Sequence, residues 1–475
     1  MILVKTLRER LAREWPADGT FLWATGIEDT FIGQPIIHSG RPLDEYVLTQ
    51  HDRNWRQDLD LAASLGVHGL RYGLPWYRLQ PEPDRFDWTW SDEVLAYAAG
   101  TLGLRVIIDL VHYGTPGWLE GGFVRPDYPA AVAAYAGAVA ERYGHLVSAY
   151  TPLNEPIVTA DLCGRTGYWP PYLEGDEGWV RVLAGITAGM RQTVRAIRAV
   201  DPAALIVHVE ASTFVIAPAD LPDEGRRVVE HVYLPTDLLL GRVQPGSATA
   251  RWLLERGLDE RLLAEFSTDI PRIDVMGVNY YPDISARQLT VEDGRLVDAR
   301  IDGWTAGLRA VLTGYYKRYG RPVMLTETGT IGSDARRLAW LEASVRSIGE
   351  LRDGGLPILG YLWWPLFDLV DWDYSAAAHA SPGFAARMAI AGGGTEMVQL
   401  VARREGQGLA AYLAPMGAWA LEPMPDGTLA RRETPVAARM RLLTRSDPGH
   451  VPTAALSPQP AAWQTFERDS RSEPP

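Results

Sequence analysis

"SAYTPLNEP", residues 148–156, is the stretch on which the reading of this chain turns. A β-prone aromatic and a threonine lead into Asn154 and Glu155, and Pro156 closes the run because it has no backbone donor to give to a ladder. The segment is a strand that ends on a carboxylate. Seven further runs follow the same plan: "TFLWATG" (20–26), "GVHGLRYGLPW" (66–76), "LRVIIDLVH" (104–112), "ALIVHVEAS" (204–212), "IDVMGVNYYP" (273–282), "PVMLTETGT" (322–330) and "ILGYLWWPL" (358–366). Between them lie patterns such as "DRNWRQDLDLAASLG", "PAAVAAYAGAVAERYG" and "RRLAWLEASVRSIGELRDGG", with apolar residues at the three- and four-residue spacing of a helix face. Eight strands alternating with helices predict an α/β fold, the (β/α)8 TIM barrel. An open doubly wound sheet would carry a Gly-rich phosphate loop after its first strand, and "WATGIEDT" has no such pattern.

Composition bounds the partners. With 475 residues, 47% of them hydrophobic, the chain can fill a large core. A formal charge of −13 excludes a surface built for nucleic acid or anionic lipid, both of which need basic clusters. Cys163 is the only cysteine, so there is neither a disulfide framework nor a thiolate zinc site. The opening "MILVKTLRERLAREW" turns charged after four residues, and no apolar run reaches the ~18 residues of a membrane span, so a cytoplasmic location is expected. Tryptophan outnumbers phenylalanine by 17 to 9, and flat indole faces suit sugar rings as well as cores. One catalytic domain is expected over 1–448, with an inserted segment at 375–410 and a loosely patterned C-terminal extension, followed by a disordered tail at 456–475. No cofactor and no metal are expected, and the sequence leaves oligomeric state unknown.

Strand ends of such a barrel converge on one face, where the active sites of these folds sit. Read in order, they supply Glu28, Arg71, His112, Asn154, Glu155, Glu210, Asn279, Tyr280, Tyr281, Glu327 and Trp364, with Asp368, Asp371 and Trp372 just beyond. Each alone has a structural explanation, but together they outline a site. Glu155 on the fourth strand and Glu327 on the seventh face one another across the mouth. Cleaving an acetal needs such a pair, one to protonate the leaving oxygen and one to attack or stabilise the oxocarbenium centre. A separation of about 5–5.5 Å gives retention, and about 6.5–9.5 Å gives inversion. Arg71 and Tyr281 are expected to keep Glu327 ionised while a less polar setting keeps Glu155 protonated. The His-x-Glu at His208 and Glu210 reads as a core histidine with a carboxylate that meets a cation or reaches the leaving-group side.

Taken with its neighbours, the pattern resembles glycoside hydrolase family 1, the retaining β-glucosidase family of (β/α)8 enzymes. "YTPLNEP" is similar to its Thr-x-Asn-Glu-Pro motif, which implies Glu155 as acid/base and Asn154 as a contact to the sugar 2-hydroxyl. "VMLTETGT" resembles the Ile-Thr-Glu-Asn-Gly motif and implies Glu327 as nucleophile. "GLRYGLPWYRLQP" with Arg71, "HYGTPGWL" with His112, "GRTGYWPP", "VMGVNYY" with Asn279 and Tyr281, and "YLWWPLFDLVDW" with Trp364, Asp371 and Trp372 follow in the family's order from about residue 20 to 374. The resemblance implies a small-molecule glycoside or oligosaccharide as partner.

Departures fall on the sugar contacts. "ATGIEDT" offers Glu28 where a glutamine is usual, Tyr113 and Gly114 follow His112 where Trp-Asp is usual, Asp371 stands for a common glutamate, and Thr328 follows Glu327 in place of asparagine. A site built to bond particular hydroxyls rejects analogues that leave its groups unpaired, so the preferred sugar is open. "DWDYSAAAHASPG" shows no lysine of the phosphosugar-specific kind. A transglycosylase or a non-hydrolytic sugar-binding barrel is the alternative function.

Overall fold

The computed structural model describes residues 21–34, 43–375 and 408–445. Each of the eight runs forms a strand: β1 (Leu22–Gly26), β2 (Gly69–Gly73), β3 (Arg105–Asp109), β4 (Val147–Thr151), β5 (Leu205–Ala211), β6 (Val275–Asn279), β7 (Val323–Thr328) and β8 (Ile358–Trp363). All pair in parallel with their neighbours in sequence, and β1 meets β8 from Leu22↔Gly360 to Thr25↔Trp363, closing the barrel. Parallel neighbours need a crossover, which helices provide. They include His51–Ser64, Tyr128–Tyr143, Gly175–Val200, Trp304–Tyr319 and Asp334–Asp353. Asp176 and Glu177 in the first turn complement the dipole of the third, and Ser333 caps the last by accepting from the Arg336 N–H.

Strand periodicity of two divides the core. Leu22, Ala24, Ile107, Ala149, Val207, Val209, Val275, Met324 and Leu362 fill the barrel, while Trp23, Leu70, Val106, Ile108, Ile206, Met276 and Leu325 pack outward against the helices. Continuing the inward row past Ile107 reaches Asp109, and past Val275 it reaches Asn279. The barrel is thus apolar below and polar at its mouth.

Long connections wall that mouth. Residues 213–272 hold the helices Asp223–His231, Leu234–Leu239, Ala248–Glu255 and Glu260–Thr268. A hairpin after β6, Ala286–Glu292 with Arg295–Arg300, was not expected; it pairs with Phe214–Ile216 as a three-stranded sheet. Beyond β8 the chain forms the antiparallel pair Trp419–Pro423 and Leu429–Glu433, then the helix Pro435–Thr444, which packs on Asp334–Asp353 and donates from Thr444 Oγ1 to the Leu65 carbonyl at 2.8 Å. The extension therefore completes the outer ring between its last and first helices. Most of the expected insertion, 376–407, and the expected tail at 456–475 lie outside the described residues. Among the described residues no helix is long and apolar enough to cross a membrane.

Candidate active site

Two local irregularities aim the carboxyls. β4 ends at Thr151, short of Glu155, and the chain runs on until Asn154 N–H meets the Val111 carbonyl at 2.9 Å and Glu155 N–H meets the Val209 carbonyl at 3.1 Å. Glu155 then takes φ 43° and ψ 69° before the short helix Pro156–Ala160. A left-handed backbone costs a residue with a Cβ about 1–2 kcal/mol, and such strain is found where a fold fixes a functional side chain. On β7 the register with β6 slips between Leu325 and Glu327. Strict alternation would send Thr326 inward and Glu327 out; the bulge turns Glu327 to the mouth beside it.

Each carboxyl has its own partners. Glu327 receives the Arg71 guanidinium on Oε1 and the Tyr281 hydroxyl on Oε2 at 2.7 Å. Glu155 receives the Tyr113 hydroxyl on Oε2 and the Asn279 amide on Oε1 at 2.9 Å. Thr326 donates to Asn279 Oδ1 at 2.8 Å and so fixes which end of that amide faces Glu155. Arg71 also pairs with Asp109 and donates to Asn154 Oδ1 at 2.7 Å. The Asn154 amide nitrogen lies 2.9 Å from the Tyr113 hydroxyl and 3.0 Å from His112 Nε2. His112 Nδ1 hydrogen-bonds Asp109 Oδ2 at 3.1 Å and lies 2.7 Å from Asp29 Oδ1.

A cavity opens above this network, lined by Glu28, His112, Tyr113, Glu155, Tyr281, Glu327, Trp364, Asp371 and Trp372. Arg71, Asn154 and Asn279 are absent from its walls and fully or almost fully buried. Asn154, expected to touch the sugar 2-hydroxyl, is buried with Tyr113 and His112 on its amide nitrogen. The Trp364 ring stacks on His112 with planes 6° apart and lies under the Arg71 charge, and its indole N–H donates to Glu28 Oε2 at 3.0 Å. Gly26 makes room for that ring, since a Cβ there would sit 2.2 Å from Trp364 Cζ3. Tyr113, Trp169 and Trp372 form an aromatic cluster with centroids 5.0–5.4 Å apart.

Known proteins match this chain in both sequence and fold. The sequence model of Glycosyl hydrolase family 1 matches residues 14–219, from before β1 to just past β5. Beta-glucosidase A of Thermotoga maritima is 24% identical over 357 residues, covering 69% of this chain and 79% of that protein. Over its first five strands the chain is similar to glycosyl hydrolase family 1. Thermostable beta-glucosidase B of Thermobispora bispora is 25% identical over 405 residues, covering 76% of this chain and 80% of its own length. In fold, the chain superimposes on the Thermotoga maritima beta-glucosidase in complex with azafagomine with a TM-score of 0.71, over 91% of this chain and 98% of the other, at 16% identity.

Electrostatics separate the two carboxyls. Burial raises both, and the charge of Glu155 raises Glu327 further. The pair therefore keeps a proton above the usual carboxylate range. Arg71 makes an ion pair with Glu327, whereas Glu155 is hydrogen-bonded by the neutral Tyr113 and Asn279. Burial also works against the Arg71 charge, but Asp109 and Glu327 more than restore it. His112 follows the same logic: burial would depress it, and Asp29 and Asp109 hold it well above its ordinary value.

The structure corrects several expectations. Asp368 accepts the backbone N–H groups of Met416, Gly417 and Leu421 and anchors the C-terminal extension. Tyr280 donates to the Trp304 carbonyl, away from the cavity. Among the described residues Glu210 meets no cation and does not line the cavity; its Oε1 accepts the N–H groups of Ile157 and Ala211. His208 sits in the core, as expected, with Nε2 2.9 Å from Thr236 Oγ1. Glu28, Asp29 and His112 bring possible ligand atoms within 4.8 Å of one another; His112 lies 2.7 Å from Asp29, and Glu28 accepts from Thr30 and Trp364. Tyr113, Asp29 and Asp109 were missed. Asp109 stood in plain view at the end of "RVIID", whereas the aim of Tyr113 depends on φ 70° at that residue and on Gly114, where a Cβ would lie 1.7 Å from the Phe31 carbonyl oxygen.

Proposed function

We propose that the protein hydrolyses β-linked glycosides with retention, Glu327 acting as nucleophile and Glu155 as acid and then base. One observation carries the roles: the Arg71 guanidinium is ion-paired with Glu327 and not with Glu155. An ion-paired carboxylate can attack the anomeric carbon, and a neutral neighbour can give its proton to the departing oxygen. Once the leaving group has gone, Glu155 is the base that activates water against the glycosyl ester on Glu327. Glu28, His112, Trp364, Asp371 and Trp372 hold the sugar at the β1 and β8 side, with the indoles as apolar platforms and the acids as hydroxyl acceptors. Arg71, Asn154 and Asn279 position the reacting carboxyls. A cytoplasmic location is part of the same reading, supported by a lone, buried cysteine.

A 2-deoxy-2-fluoro β-glycoside with a good leaving group tests the assignment. Peptide mass mapping should find one sugar on Glu327, and Glu327→Gln should abolish it. Glu155→Gln should lose at least about 100-fold in turnover of glycosides with poor leaving groups while still forming the adduct from activated ones. Labelling at any other residue, or full turnover by either variant, would sink both roles.

A further inference from the structure

Beyond Glu155 the cavity wall carries charge that the two-carboxylate reaction leaves unused. The hairpin after β6 sets Arg287 directly opposite Arg300. Residues so opposed share one face of the ribbon, and both arginines line the cavity. Like charges in register weaken a hairpin, so fold stability alone gives no reason for this pairing. Arg287 is held in a fork by Asp298, with Nε to Oδ1 at 2.9 Å and Nη2 to Oδ2 at 2.5 Å. Arg300 is anchored by Nη1 on the Ile284 carbonyl at 2.6 Å, which fixes its direction. Burial, and then the charge of Arg287, push Arg300 down to about 10, so a bound anion would relieve both costs.

Position decides what that anion belongs to. Ile157, Val158 and Asp161 line the same cavity, following Glu155 along the chain. Arg300 feels the charges of Asp161 and Asp298, and Asp161 is itself engaged by Arg165 at 3.1 Å. Glu155 as proton donor stands beside the leaving oxygen, so the wall next to it faces the departing group, opposite the Glu28 and Trp364 side. We infer that Arg287 and Arg300 form a subsite for an anionic substituent, a carboxylate or a phosphate, on the leaving-group moiety of the glycoside. A planar guanidinium fork matches either group. The inference rests on the glycosidase reading above.

Its test compares kcat/KM for 4-carboxyphenyl β-glucoside with that for its methyl ester, and for the 4-phosphophenyl glycoside with that for 4-hydroxyphenyl, in wild type, Arg287→Gln and Arg300→Gln. Differences in leaving-group reactivity cancel when the anionic-to-neutral ratio is compared between proteins. That ratio should fall about tenfold in at least one arm on removal of either arginine, and the arm that moves identifies the anion. Unchanged ratios in both arms overturn the subsite. Should Arg300→Gln fail to fold, Arg287→Gln and Arg300→Lys carry the comparison. Tryptophan fluorescence titrations with benzoate and phenyl phosphate give a second readout. Arginine-dependent binding with no hydrolysis of any glycoside would remove the hydrolase reading and keep the anion site, and hydrolysis with arginine-independent binding would do the reverse.

Discussion

Arg71 spreads one guanidinium over three acceptors, Asp109, Glu327 and Asn154. A lysine carries the same charge on a single point and cannot hold a planar set of that kind. Arg71→Lys therefore tests whether the arrangement, and not the charge alone, sets up the nucleophile. Turnover should drop on the order of 100-fold, and KM should change little because Arg71 does not line the cavity. Steady-state kinetics on one aryl glycoside separate the two parameters; a variant with unchanged kcat, or one altered only in KM, would show that the fork is dispensable. Arg71, Glu155 and Glu327 were legible in sequence because each is a charge closing an apolar run. Asn154 was legible as a site residue, but its burial against Tyr113 was not, since a side chain's depth follows from the path of a neighbouring loop.

Among the elements, the strands could be read from alternation and the helices from their apolar stripe, since both signals are local. The β7 bulge and the hairpin after β6 were invisible for the opposite reason: "ISARQLTVEDGRLVDAR" has a turn at Asp293 and Gly294 but no apolar face to mark it as strand. The C-terminal hairpin shows how such an element is fixed. Its Arg431, with a side chain 2% exposed, forks onto the wholly buried Asp58, with Nε to Oδ1 at 2.8 Å and Nη2 to Oδ2 at 3.0 Å, and reaches the Thr49 carbonyl at 2.9 Å. Asp58 in turn meets His51 Nδ1 at 2.9 Å, and His51 Nε2 lies 2.7 Å from the Tyr72 hydroxyl. Removing one member strands a buried charge, so Arg431→Met should cost about 3–5 kcal/mol. Adding Asp58→Asn should recover a substantial part of that loss, because the orphaned charge goes with it. Urea denaturation of the single and double variants measures both, and a double variant no more stable than the single would assign the loss to packing.

Across the whole molecule, folding buries acids that would be ionised in the open chain, and this sets the direction of its pH dependence. Burial raises Asp29 from 3.8 to about 6 and lifts Glu45, Glu210 and the Glu155–Glu327 pair above 4.5. A group whose value is raised on folding holds its proton more tightly when folded. Its contribution is complete below the unfolded value and is lost as pH rises through the folded one. The raised His112 adds a loss of the same sign above 6.5. His208 and His231, which burial lowers from 6.5 to about 4, act oppositely and remove stability as pH falls from 6.5 toward 4. Between pH 6 and 8.5 the raised groups dominate, so Tm should fall as pH rises, with folding accompanied by net proton uptake. General repulsion in a chain of charge −13 would bend Tm the same way. Salt separates the two causes, because ions screen exposed charges and leave buried ones nearly untouched. The slope should therefore persist in about 0.5 M salt, where the Debye length is shorter than the ~8 Å of physiological solution. Glu327→Gln should flatten it and raise Tm at pH 8, at the expense of turnover. Calorimetry of both proteins at pH 6, 7 and 8 decides the matter: a slope abolished by salt, or unmoved by Glu327→Gln, would mean that the site is not where the pH dependence originates.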